Sequence, residues 1–123
     1  MNRFISSISS LFLCILLGCS PSSSLQLQPQ AINGSAPNLM IHYGCPTCHV
    51  IPHVPGAVGK VGPSLGGNLE QRSYLAGTIP NNSSNLQQWI MHPQQLRPGT
   101  AMPEMGVTSN DAQQIARFLY STR

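Results

Sequence analysis

A small all-α domain of short helices separated by long loops is the fold class this sequence predicts. Apolar residues recur at helical spacing in several segments, with the clearest near the C-terminus. Proline and glycine punctuate the stretches between those segments every few residues, and no run alternates in the manner of a strand. The chain has 123 residues, enough for one small domain, and contains no internal repeat.

The opening stretch, MNRFISSISSLFLCILLGCS, stands outside that fold. One early basic residue, Arg3, precedes an apolar, serine-dotted run that ends Leu16-Leu17-Gly18-Cys19. This is a short basic region, an apolar region too brief for a membrane span, and a small residue before a cysteine. The ending resembles the lipobox of bacterial lipoproteins, where cleavage precedes the cysteine and its thiol receives diacylglycerol. An ordinary secretory signal or an uncleaved N-terminal anchor is the alternative. The lipoprotein reading divides the chain into a signal peptide over 1–18, a lipidated Cys19 with a flexible Ser-, Gln- and Pro-rich tether over 19–35, and a folded domain over 36–123. The domain is then exported and held by lipid on the periplasmic side of a bacterial membrane. Of the four cysteines, Cys14 leaves with the signal and Cys19 carries lipid, so Cys45 and Cys48 remain in an oxidising compartment. A domain this small has a limited core and usually needs a disulfide, a metal or a large cofactor to complete it.

Within the domain, PNLMIHYGCPTCH reads as a helix from about Asn38 that leads directly into the cysteines, with Leu39, Met40 and Tyr43 at helical spacing. VIPHVPGAVGKVGPSLGG cannot be regular. EQRSYLAG reads as a short helix closed by Gly77, and NNSSNLQQWIMHPQQL as a helix with Leu86, Trp89 and Ile90 on one face, stopped near Pro93. RPGTAMPEMG is a proline loop. Thr108 caps the last helix, with Asp111 placed as in a capping box and Ala112, Ile115, Ala116 and Leu119 forming one face.

Charge excludes one class of partner. Without Arg3, five basic residues (Lys60, Arg72, Arg97, Arg117, Arg123) stand against Glu70, Glu104 and Asp111, too sparse a balance for a nucleic-acid footprint. The chemistry therefore concentrates in Cys45-Pro46-Thr47-Cys48-His49. A dithiol of the thioredoxin kind needs a βαβ context that the chain lacks. A zinc site would have to recruit two of His42, His49, His53 and His92, and no pair follows at finger spacing clear of the cysteines. C-x-x-C-H is also the attachment pattern of c-type haem: on one bent helical turn two thiols reach two vinyl groups while the next side chain lies under the iron. His49 then leaves the opposite axial position open. Met102, in a loop held extended by Pro98, Gly99 and Pro103, would fill it with a thioether, and Met105 is the alternative. Met40 and Met91 lie on helical faces and read as core filler, while His42, His53 and His92 read as surface or loop residues.

With these pieces in place, the chain from Ala36 to Ser121 resembles a class I cytochrome c. More narrowly, it is similar to the cytochrome c domains fused to subunit II of bacterial caa3-type oxidases. GCPTCH, GKVGPSLGG, QRSYLAGTIPNN, NLQQWIMHPQQLRPGTAMPEM and IARFLY carry the resemblance. It implies one covalently attached haem c on Cys45 and Cys48, with His49 and Met102 as axial ligands. It also implies that the Pro63 carbonyl orients His49 through Nδ1, the kind of support a metal-bound imidazole needs. Trp89 and Arg72 would lie near the haem propionates; read without the resemblance, Trp89 is equally a core residue and Arg72 a solvated charge. The pattern departs from the family where the first helix crosses the last: Ala36 and Met40 stand where glycine and an aromatic are usual, against Phe118. The family's oxidase subunits also carry a copper domain and membrane helices, so this chain reads as a free-standing, lipid-tethered relative. The implied function is a monohaem electron carrier, not an enzyme, that exchanges electrons with redox complexes of the terminal-oxidase or quinol–cytochrome c reductase type. An open-sixth-site haem enzyme or gas sensor is the alternative.

Overall fold

The computed structural model describes residues 34–123. The signal segment, Cys19 and nearly all of the tether lie outside the described residues. Helix α1 spans Ala36–His42, with Pro37 in its first turn, where a missing N–H costs nothing. The carbonyl of Ser35 accepts from the amides of Asn38 and Leu39 at 2.8 and 3.1 Å, so the helix starts two residues before the expected Asn38. It also does not run unbroken into the cysteines. Gly44, at φ 78°, turns the chain, and a separate single turn, α2, covers Cys45–Cys48.

From Val50 to Asn68 the backbone is irregular, as the prolines and glycines require. It still buries Ile51, Val54 and Ala57 beneath itself and closes on one isolated bridge between Val50 and Val58. A 3₁₀ turn, η1, follows at Leu69–Gln71.

The expected short helix over EQRSYLAG is not formed. Strands β1 (Tyr74–Leu75) and β2 (Ile79–Pro80) pair antiparallel instead, with Leu75 opposite Ile79. The reason lies in the turn: Ala76 and Gly77 both take positive φ (46° and 85°), the geometry of the tight turns that join hairpin strands. The amide of Thr78 closes it on the Leu75 carbonyl at 3.2 Å.

Helix α3 spans Ser83–Met91 and is capped by Asn82, whose side chain accepts from the Asn85 amide at 2.8 Å. Pro93 cannot continue it and instead opens α4, Pro93–Leu96. Helix α5, Ser109–Ser121, is capped by Thr108 as expected, with its side chain accepting from the Asp111 amide at 3.2 Å. The Asp111 carboxylate does a different job from the one a capping box assigns it. It is buried and accepts from the Tyr43 hydroxyl at 2.8 Å, tying the end of α1 to the start of α5. Burial, then that hydrogen bond, raises the Tyr43 phenol above its ordinary value.

Helix α5 is the common partner of the fold. Both α1 and α3 pack on it, and η1 touches it. Leu39 and Met40 from α1, Leu86, Ile90 and Met91 from α3, and Ala112, Ile115, Ala116 and Leu119 from α5 form the buried cluster. The small Ala112 and Ala116 are fully covered, which lets α1 and α3 approach closely. Phe118 is partly buried against this cluster.

Candidate functional site

The core is hollow on one side. A cavity of about 540 Å³ opens among α1, α2, α3, α5 and the two proline loops. Its wall brings together Cys45, Cys48, His49, Pro63, Arg72, Trp89 and Met102, every site residue expected from the sequence within the described part of the chain. Much of the remaining lining is apolar, including Met40, Leu69, Leu75, Leu86, Ile90, Ile115 and Leu119.

The turn that carries the cysteines is held by the GKVGPSLGG loop folding back on it. The amide of Gly59 donates to the Pro46 carbonyl at 3.2 Å, and that of Gly62 to the Cys48 carbonyl at 2.8 Å. Side chains are sterically barred at both contacts. A Cβ on Gly59 would stand 2.3 Å from the Thr47 carbonyl oxygen, and one on Gly62 would stand 2.2 Å from Cε1 of His49. Gly62 thus lets the backbone pass close to the imidazole, and Gly59 lets it pass close to the turn that carries the cysteines.

His49 Nδ1 lies 2.7 Å from the Pro63 carbonyl oxygen. A carbonyl only accepts, so Nδ1 carries the proton and Nε2 of the neutral ring is left with its lone pair, the form in which imidazole binds a metal. Gly62→Ala should therefore push the ring off this contact. We expect a loss of about 1–3 kcal/mol, the usual size for overpacking, read as a lower midpoint in chemical denaturation of the purified protein; an unchanged midpoint would show that the ring has room to spare.

Cys45 and Cys48 are free thiols. Burial, above all, pushes the Cys45 thiol up from its ordinary value, and the neighbouring Cys48 adds to the shift. Among the described residues the strands are two residues long and give no βαβ frame around the cysteines. No three His, Cys, Asp or Glu side chains among the described residues gather into a group that could hold a metal ion. His42 and His53 are exposed, His92 lies 3.6 Å from Glu104, and none of the three lines the cavity.

Arg72 is half-buried, and its guanidinium donates to the carbonyls of Ser64 (3.1 Å) and Gly66 (2.7 Å), so it braces the loop that carries Pro63. Trp89 is packed partly against the core while facing the cavity. Met102 and Met105 both line the cavity, and Met105 is also packed against the core.

Three residues that sequence reasoning passed over shape the site. Arg97 lines the cavity and donates to the Ala76 carbonyl, joining the α4 end to the hairpin turn. Asn81 donates to the carbonyls of Leu69 (2.7 Å) and Arg72 (2.8 Å) and accepts from the Tyr120 hydroxyl at 2.7 Å. Gln94 bonds to the loop around Met102. A lone amide side chain has no spacing or composition that would mark it in the sequence.

Over 80 residues, 64% of this chain, the sequence is 30% identical to cytochrome c oxidase subunit 2 of Alkalihalophilus pseudofirmus (strain ATCC BAA-2126 / JCM 17055 / OF4). The match spans 22% of that protein's length, about a fifth. No family model matches the chain. No solved structure matches it either.

Proposed function

We propose that this protein is a monohaem c-type cytochrome that carries single electrons in a respiratory chain, with a class I cytochrome c fold. One observation carries the reading: two thiols, an imidazole with Nε2 free and a thioether line a single, largely apolar cavity. That donor set suits a covalently held haem with His/Met ligation. The volume of about 540 Å³ lies in the ~300–1,000 Å³ range of cofactor pockets. The similarity to an oxidase subunit supports a respiratory electron-transfer setting.

In this reading Cys45 and Cys48 would hold the haem by thioether links, and His49 and Met102 would be its axial ligands. When bound, haem supplies the one-electron chemistry. The chain's own part is positional. Pro63 fixes the tautomer and plane of His49, the Gly59 and Gly62 contacts keep the turn bearing the cysteines in place, and the apolar wall keeps water away. Trp89 and Arg72 are assigned to the propionate side. In this reading His49 and Met102 would both be taken up by the iron, which would leave no vacant site for substrate, and the protein would transfer electrons without acting as an enzyme. Its partners would be redox complexes such as a terminal oxidase or a quinol–cytochrome c reductase. A potentiometric titration of the protein, expressed with a haem-ligation system, tests this. A single reversible one-electron transition, with no carbon monoxide binding by the reduced form, is expected. Ready carbon monoxide binding would instead indicate an open-site enzyme or sensor.

We further propose that Cys19 is lipidated and holds the domain on the periplasmic side of a bacterial membrane. Among the described residues no helix is long and apolar enough to cross one. Cys19→Ser should shift the protein from the membrane fraction to the soluble exported fraction, because loss of the acyl chains removes the only anchor this reading provides. Retention in the membrane would point to an uncleaved N-terminal helix.

A further inference from the structure

The loop that carries Met102 has almost no framework of its own. It belongs to no helix or strand, two of its residues are prolines, and within it the backbone makes a turn in which Thr100 N–H donates to the Arg97 carbonyl at 3.1 Å. The Met102 amide reaches only the Thr100 hydroxyl, at a long 3.4 Å. Yet a ligand loop has to present its side chain at one place.

The missing constraint comes from one side chain on α4. Gln94 Nε2 donates to the carbonyls of Thr100 and Met102, both at 2.8 Å, and its Oε1 accepts from the Gly99 amide at 3.2 Å. Both amide protons and the carbonyl of one carboxamide are thus spent on three backbone groups of the Met102 loop. The backbone at Gln94 is itself fixed from the far side of the loop, since its N–H donates to the Glu104 carboxylate at 3.2 Å. The side chain is half-buried, which limits competition from water for these bonds. Gln95, next in sequence, is exposed, and its amide bonds only within the helix turn, to the His92 carbonyl.

The geometry points to Gln94 as the positioning residue that holds Met102 in the cavity and thereby governs how readily the sixth axial position opens. This rests on the reading of Met102 as an axial ligand. No other residue type of similar size replaces it. A carboxylate at this position would face two carbonyl oxygens with no proton to offer, and an apolar side chain would leave all three backbone groups unpaired.

The test uses the full chain with haem attached and compares wild type with Gln94→Ala, Gln94→Glu and the control Gln95→Ala. Two readouts are taken: the weak near-red absorption band of an iron–thioether bond in the oxidised protein, and the rate at which added imidazole displaces that bond. Both Gln94 variants should lose the band at a lower pH than wild type and capture imidazole about tenfold faster or more. A tenfold change corresponds to ~1.4 kcal/mol, and both variants lose the two donor bonds to the Thr100 and Met102 carbonyls. Gln95→Ala should match wild type. If Gln94→Ala also loses far-UV ellipticity, Gln94→Met, which keeps the volume without the hydrogen bonds, is read in its place. A Gln94 variant with wild-type band and wild-type capture rate overturns the assignment of Gln94 alone. A wild-type protein with no near-red band overturns the Met102 ligation on which it rests.

Discussion

Cys45→Ala with Cys48→Ala is expected to abolish covalent haem and leave a largely unfolded chain. The effect should be this large because the cavity occupies the place where a domain of this size would otherwise have its core. A domain of this size has little other apolar surface to bury, so leaving the cavity's largely apolar wall open to water removes a large share of an ordinary stability of ~5–15 kcal/mol. Helices α1 and α3 both pack on α5, and all three also line the cavity, through Met40, Trp89, Ile90 and Ile115. Far-UV circular dichroism and a haem stain on the purified double variant check the result. A cooperatively folded, haem-free protein would contradict it.

In the proposed ligation, Met102→Ala should alter redox behaviour strongly while leaving His49 and both thioether links intact. Loss of a thioether, which favours ferrous iron, should lower the reduction potential by roughly tens to hundreds of millivolts. The opened position should then bind carbon monoxide. Met105→Ala should do neither. Both methionines line the cavity, but Met105 also fills space against the core, so its loss should read as reduced stability with an unchanged spectrum. If Met105→Ala gives the low-potential, open form and Met102→Ala stays native-like, the two roles are exchanged.

The parts of the fold that carried a repeating pattern were legible in the sequence. Helix α5 announces itself by Thr108 and by apolar residues three and four apart, and α3 by Leu86, Trp89 and Ile90 before Pro93. The hairpin at Tyr74–Pro80 did not, because two-residue strands have no period to detect and because Ala76 adopts a positive φ that its identity does not suggest. The spacing of Asp111 from Thr108 fits half of a capping box. Only the fold reveals that Tyr43, distant in sequence, takes up its carboxylate. The candidate site divides in the same way. Cys45, Cys48 and His49 are contiguous and could be found by spacing, and Met102 by its proline loop. Gln94, which reaches the Met102 carbonyl, and Asn81, which reaches that of Arg72, act through main-chain carbonyls eight and nine residues away, with no pattern in the sequence to mark them.

The central claim is that one haem is bound covalently to Cys45 and Cys48. Intact mass of the protein, purified after expression with a haem-ligation system and measured under denaturing conditions, tests it most directly. The expected mass is that of the processed polypeptide plus one haem. The mass of the polypeptide alone, from material that is otherwise folded, would contradict it.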